Sequence, residues 1–267
     1  MKHTSLKRRL IPKLLIKHRR LGAVERPVLV TTRQYREVLE VGDPVSQAKI
    51  YEAQLADELI VLNIDATPVG GDRVVLDLIA RLATETFMPL AVGGGVRSVA
   101  DFAALLERGA DKVCINTAAL DSPQLISDAA ARFGAQCVVV AIDFHTAAGA
   151  ESTVLRDCAR NETGIAVREW ARRAVAAGAG ELLLTDVDRD GVGNGLNWQV
   201  CRAIADEVSV PVILSGGCGL AEHFVDGFLQ GHAEGVAAGT FFCFRDQNPM
   251  QTRAHIRNAG IAIRMET

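Results

Sequence analysis

The feature that most constrains this chain is a repeat. Glu58-Leu-Ile-Val-Leu-Asn-Ile-Asp65 returns as Glu181-Leu-Leu-Leu-Thr-Asp-Val-Asp188, each an apolar run that ends in acids and glycine. Runs this short, set between glycine-rich turns, read as buried strands rather than helices. The offset of 123 residues that lays Asp65 on Asp188 also lays residues 92–96 (Val-Gly-Gly-Gly-Val) on 215–219 (Ser-Gly-Gly-Cys-Gly), and Asn116-Thr117 on Gly239-Thr240. One offset joining three separate motifs marks a duplicated half.

The remainder alternates in the same way. Strands are expected at 9–17, 58–64, 90–92, 112–116, 137–143, 181–186, 210–214 and 235–238. Helices are expected after Asp43-Pro44, from Asp72, from Ser98 to Gly109, and at 121–133, 165–177, 196–207, 220–229 and 249–258. Asp43 and Ser98 are N-caps, Pro44 suits a first helical position, and Gly109 closes its helix. Two long loops remain, 18–43 with short extended pieces at 28–31 and 35–38, and 144–162. Loops of this length in a compact domain are usually functional. Eight strand-then-helix units imply parallel strands joined by right-handed crossovers. They close most naturally into one α/β domain over residues 1–267, a (β/α)8 TIM barrel with its site at the strands' C-terminal ends.

Composition agrees. The length of 267 residues is ordinary for one such barrel, and a chain with 49% hydrophobic but only 5% aromatic residues suits aliphatic strands. A formal net charge of −3 gives no reason to expect nucleic acid or an anionic membrane as partner. No apolar run approaches the roughly 18 residues of a membrane span, and the basic N-terminus lacks the apolar core of a signal peptide. Six scattered cysteines, without a Cys-x-x-Cys, are expected as free thiols in a reducing cytoplasm.

Gly93–Gly95, and Gly216-Gly217 with Gly219, each follow a strand and precede a helix. Backbone without side chains there can approach a phosphate, beside the amide donors of a helix start. The same glycines also serve tight turns at positive φ. Recurrence in both halves favours the phosphate reading, and Asn116-Thr117 with Gly239-Thr240 complete two sites across one mouth. That suits a phosphorylated small molecule with a phosphate at each end. Asp143, at the end of the fifth strand, is the candidate general acid or base. His18 and His145 follow strands one and five, but no ligand spacing joins them, so neither a metal nor another cofactor is expected. Asp186, Asp188 and Asp190 leave two readings open, a metal cluster or a cap on the loop. Arg9, Glu58, Lys112 and Glu181 stand at strand starts, either as separate rim charges or as a paired ring closing the floor.

The segments Ala56-Asp-Glu-Leu59, Val92-Gly-Gly-Gly-Val-Arg-Ser98, Gly109-Ala-Asp-Lys-Val-Cys-Ile-Asn116, Gln136-Cys-Val-Val-Val-Ala-Ile-Asp143, Gly178–Gly191 and Ser215-Gly-Gly-Cys-Gly219 resemble signatures of one family, the cyclase subunits of imidazole glycerol phosphate synthase. The resemblance runs from Arg9 to about Ile263. It implies the barrel fold and a bisphosphate substrate. One phosphate site would comprise Gly94, Gly95, Asn116 and Thr117, the other Asp190, Gly191, Gly216, Gly217, Ala238 and Gly239. It also implies a glutaminase partner docked on the barrel floor. In that family ammonia passes up the barrel interior through a gate of four charges, present here as Arg9, Glu58, Lys112 and Glu181.

One departure matters more than the matches. The family's cyclase chemistry uses two aspartates, on strands one and five. Asp143 keeps the second. Where the family reads Cys-Leu-Asp-Val-Lys, this chain reads Lys13-Leu-Leu-Ile-Lys17. Leu15 replaces the first aspartate and cannot transfer a proton. Alternation places Lys13 on the face of Arg9 and Leu15, where a buried ammonium needs a partner, and Asp143 or Asp65 is expected to supply it. The family's glycine-rich first loop is rewritten in 18–43, and Gly239 replaces a serine. Leucine at position 15 resembles a paralogous group, the cyclase-like subunits encoded with surface-polysaccharide genes. That resemblance implies ammonia delivery to a separate amidotransferase building an acetamidino group on a sugar. Two alternatives stay open. One is a histidine-pathway cyclase-lyase in which Lys13 or another group replaces the aspartate. The other is a non-catalytic scaffold that binds and activates the glutaminase.

Overall fold

Parallel strands leave polar backbone groups unpaired at every sheet edge, and closing the sheet on itself removes the edges. The computed structural model, which describes residues 7–147, 151–244 and 247–263, shows this solution. In chain order the strands are β1 (Arg9–Leu21), β2 (Val24–Arg33), β3 (Glu37–Gly42), β4 (Leu59–Asn63), β5 (Leu90–Gly93) and β6 (Lys112–Ile115). They continue as β7 (Val138–His145), β8 (Thr153–Arg156), β9 (Asn161–Ala166), β10 (Glu181–Asp186), β11 (Val212–Ser215) and β12 (Gly235–Ala238). Eight of these form a closed parallel barrel in the order β1, β4, β5, β6, β7, β10, β11, β12, with β12 pairing back to β1. The expected (β/α)8 class is therefore what the chain adopts.

Strand alternation sorts the residues of β1. Leu10, Leu14 and Ile16 face outward into the main core beneath the helices. Ile11 faces inward with Ile60, Ala91, Cys114, Leu183 and Ile213, forming an apolar layer across the lumen. Arg9 lies one step below this layer and Lys13 one step above.

Neither long loop is irregular throughout. β1 runs on to Leu21, reverses at Gly22 (φ 62°), and returns antiparallel as β2, pairing Leu15 with Val30 and Ile16 with Leu29. β3 then pairs antiparallel with β2. The extended piece expected at 35–38 is corrected: Gln34 and Tyr35 form the turn, at φ 53° and 56°, and the strand begins at Glu37. In the second loop β7 extends to His145, and β8 and β9 form a further antiparallel hairpin, while residues 148–150 lie outside the described residues. The helix expected over 121–133 is two helices, Thr117–Asp121 and Gln124–Phe133, because Pro123 lacks the N–H that would continue the first. The repeat also needs a one-residue correction. Gly94 and Gly95 (φ 94° and 76°) take the places of Gly216 and Gly217 (φ 90° and 105°), an offset of 122 rather than 123. In both halves the first of these glycines crosses the backbone at the end of the preceding strand, at Asn63 and at Asp186, too closely for any side chain.

The C-terminal helix Pro249–Asn258 is fastened to the barrel's underside by charge. Arg253 reaches Asp57 Oδ1 at 2.9 Å and also the Leu55 carbonyl, while Asp57 Oδ2 accepts from the Leu10 N–H at 2.7 Å. Arg253→Met leaves the buried Asp57 carboxylate without that cation, and is expected to cost about 3–5 kcal/mol, read as a lowered urea midpoint with an unchanged slope.

Candidate functional site

From the floor upward, the lumen is built in layers. At the bottom Arg9, Glu58, Lys112 and Glu181 form one paired ring. Arg9 Nη1 donates to Glu58 Oε2 at 2.6 Å and its other terminal nitrogen donates to Glu181. Lys112 Nζ lies 2.9 Å from Glu58 Oε1 and 2.8 Å from Glu181 Oε2. Burial opposes the charges on Arg9 and Lys112, but the two adjoining carboxylates outweigh it and hold both cations ionised. Of the two readings open for these charges, the geometry is that of the ring.

Above the apolar layer the mouth is polar on one side. Asp143 is buried where β7 pairs with β10, and its two oxygens accept from Tyr35 Oη at 3.0 Å and Asn116 Nδ2 at 2.8 Å. Burial is the main reason its carboxyl is pushed up to about 6, and the nearby Asp190 charge adds to this. The Tyr35 and Asn116 hydrogen bonds and the Lys13 charge pull it back. A carboxyl so placed exchanges a proton near neutral pH, as a general acid or base must. Burial, then the Asp143 and Asp190 charges, pushes the Tyr35 phenol well up, so that it serves as a donor.

Lys13 occupies the lumen, as alternation requires, but its expected partners are corrected. Its Nζ donates to Ser215 Oγ at 3.0 Å and lies 3.7 Å from Asp190 Oδ1. Asp65 instead accepts from the His18 N–H at 2.7 Å at the end of β4, and Asp143 feels Lys13 only as a nearby charge. Leu15 packs with Val28, Val30, Leu62 and Ile64 in a small apolar cluster at the mouth. The mouth end of β1 is thus hydrocarbon, supported by neighbours of the same kind.

The candidate phosphate residues fall into two groups. Gly94, Gly95, Asn116 and Thr117 line, with Asp143, a cavity of ≈ 1430 Å³ over the mouth. Thr117 Oγ1 also accepts from the Asp157 N–H at 2.9 Å. Asp190, Gly191, Gly216, Gly217, Ala238 and Gly239 do not line this cavity. His18 lies 3.1 Å from Asp72 and His145 3.2 Å from Glu162. Among the described residues no group of three or more His, Cys, Asp and Glu side chains is arranged to hold a metal. Asp186 and Asp188 cap their loop: Asp186 accepts from the Asp188 N–H at 3.1 Å and Asn197 Nδ2 at 2.7 Å, and Asp188 accepts from the Thr146 N–H at 3.2 Å. Sequence reasoning missed Tyr35 and Thr32, both within the presumed loop. One signal was available, since Tyr35 is one of only 2 tyrosines in the chain.

The fold and site together define a (β/α)8 barrel with a charged floor, an apolar lumen and an acid-bearing mouth. Residues 9–248 match the family model described as histidine biosynthesis protein. A protein of Prochlorococcus marinus (strain MIT 9313), named "Putative imidazole glycerol phosphate synthase subunit hisF2", is 48% identical over 261 residues, covering 98% of this chain and 99% of the relative. The chain belongs to the histidine biosynthesis protein family, and the resemblance to its cyclase subunits holds over nearly the full length.

The raised Asp143 carboxyl carries a stability signature. A group whose folded value (about 6) exceeds the ordinary 3.8 prefers its neutral form in the native state, so stability declines as pH rises from about 4 to about 6. Asp143→Asn removes that penalty. The variant is expected to match the parent at pH 3.5 and to exceed it at pH 8 by up to about 3 kcal/mol, measured by urea unfolding across pH.

Proposed function

We propose that this chain is a cyclase-like synthase subunit that receives ammonia from a glutaminase docked on the barrel floor. It supplies that ammonia for amidination of a sugar in surface-glycan synthesis, through a separate amidotransferase at the mouth. The observation that carries this reading is Leu15. Cyclisation needs an acid on the first strand, and the chain places a leucine there within its own apolar cluster, while the charge ring below is complete. The relative named as an imidazole glycerol phosphate synthase subunit supports a glutaminase partner.

The lumen suits this task chemically. The ring pairs must part to admit a molecule from below, and the apolar layer of Ile11, Ile60, Cys114 and Leu183 disfavours ammonium and so passes neutral ammonia. The Lys13 ammonium above repels any ammonium that enters. No helix among the described residues is long and apolar enough to cross a membrane, and the six free cysteines fit the cytoplasm as the proposed compartment.

One observation favours a second reading, the histidine-pathway cyclase-lyase itself. Asp143 titrates near 6 with the Tyr35 hydroxyl 3.0 Å away, so the mouth retains an acid–base pair. A cyclase assay separates the two: the purified chain receives the family's bisphosphate substrate with excess ammonium salt, so that no glutaminase is needed. The expected outcome is no turnover by folded barrel that still binds its glutaminase; the rate of an ordinary family member would establish the cyclase reading instead. In the glutaminase complex, Glu58→Gln or Glu181→Gln is expected to uncouple glutamine hydrolysis from product formation, and persistent coupling would remove the ring from the ammonia route.

A further inference from the structure

The charge ring on the floor is closed on itself. Each of its cations already meets two carboxylates, and Lys112 is the most open of the four side chains at 21%. Charges matched in this way have little left to offer an incoming surface. The pairs must also part when a molecule passes, so a grip on them would be lost at each passage. A partner held on this face needs its anchor beside the ring rather than in it.

Beside the ring stands Phe87. It is 92% exposed, more than any other large apolar side chain among the described residues, and the next, Val24 at 63%, lies beyond the mouth in the β1–β2 hairpin. A single exposed apolar residue is ordinary on a protein surface, but the backbone around this one is fixed. Residues 86–89 join the helix Arg73–Glu85 to β5 on the underside of the barrel. The Phe87 and Met88 N–H groups both donate to Glu52 Oε1, the second at 3.2 Å. Thr86, which is buried, donates from its hydroxyl to the Leu82 carbonyl at 2.9 Å, and the Pro89 carbonyl accepts from the Leu59 N–H at 2.8 Å. A turn tied at both ends has little freedom to lose when its side chain is covered. Leu59 directly follows Glu58, so the inner end of the turn lies beside the ring.

The surroundings of Phe87 are quiet in charge. Glu52 is engaged by the N–H groups of the turn, and Glu85 is paired with Lys49 at 2.7 Å. Glu52 belongs to the last turn of the helix Pro44–Ala53, where Ala53 and Ile50 are exposed. The patch therefore presents a rigid aromatic knob among small and apolar side chains. Aromatic residues are enriched at interface centres, and a few anchors seated in a partner's pocket carry most of the binding energy.

We propose that Phe87 is the anchor by which the glutaminase holds the barrel floor, seated in an apolar pocket of that partner while the four charges stay free to open. This rests on the reading of the floor as the glutaminase's docking face. It adds where the affinity lies, in residues 86–89 and the adjoining helix end rather than in Arg9, Glu58, Lys112 and Glu181.

The separately purified glutaminase is titrated into the full-length chain and binding is followed by calorimetry. Phe87→Ser is expected to weaken binding by at least about thirtyfold, with an unchanged urea midpoint because the side chain lies outside the core. Phe87→Leu, which keeps an apolar knob, is expected to stay within about fivefold of the parent. Glutamine hydrolysis is expected to reach the parent's maximal rate with Phe87→Ser, only at a higher barrel concentration, since the charge ring is intact. Binding by Phe87→Ser within about twofold of the parent overturns the proposal. So does light scattering that shows a parent dimer dispersed by the substitution, which would make a second copy the occupant of this face. A parent chain that binds no glutaminase removes the docking reading and this one with it, a result distinct from binding that ignores Phe87.

Discussion

Closure of the parallel barrel is the constraint on which everything else rests. Once β12 pairs with β1, every barrel strand has two neighbours and each side chain must point either to the helices or into the lumen. The sequence of β1 then becomes a vertical profile of the interior. A guanidinium lies at the floor, an isoleucine at mid-height, an ammonium above it and a leucine at the mouth. Floor, conduit and mouth have distinct chemistry because four residues of one strand are spaced by two.

Such an interior is expensive in desolvation, and the chain meets this by pairing each buried charge. The floor ring alternates sign, so each cation touches two carboxylates and each carboxylate two cations. Lys13 is held by Asp190 and Ser215, and Asp143 by Tyr35 and Asn116. Buried networks of this kind rigidify when fully satisfied. Burial pushes the Asp143 carboxyl up to about 6, and its Tyr35 and Asn116 hydrogen bonds and the Lys13 charge offset that only in part. The raised carboxyl at the mouth and the paired charges at the floor thus differ in whether a charged partner adjoins the buried group.

The β2–β3 hairpin after the first strand connects these features. By folding back on β1 it supplies Val28 and Val30 to cover Leu15, Tyr35 to cap Asp143, and Thr32 to hold Asp190. Leu15 and the hairpin that covers it are therefore one structural unit. A leucine exposed at an open mouth gains little, whereas a leucine under a hairpin is buried.

By itself the sequence determined the architecture. Eight strand-then-helix units, the internal repeat, the four charges at strand starts and Asp143 at a strand end were legible, because period-two alternation and strand-end glycines are local signals. Only the tertiary structure decided which groups meet. The hairpin β2–β3 was hidden because Pro27 and the charged residues before it interrupt the apolar alternation, so β2 is held by pairing with β1 and β3 by pairing with β2. The contacts that shape the mouth join Tyr35 to Asp143, Thr32 to Asp190 and Lys13 to Ser215, separated by 108, 158 and 202 residues. No pattern within a short window encodes these distances. They exist because closing the barrel brings the ends of strands far apart in the chain around a single opening.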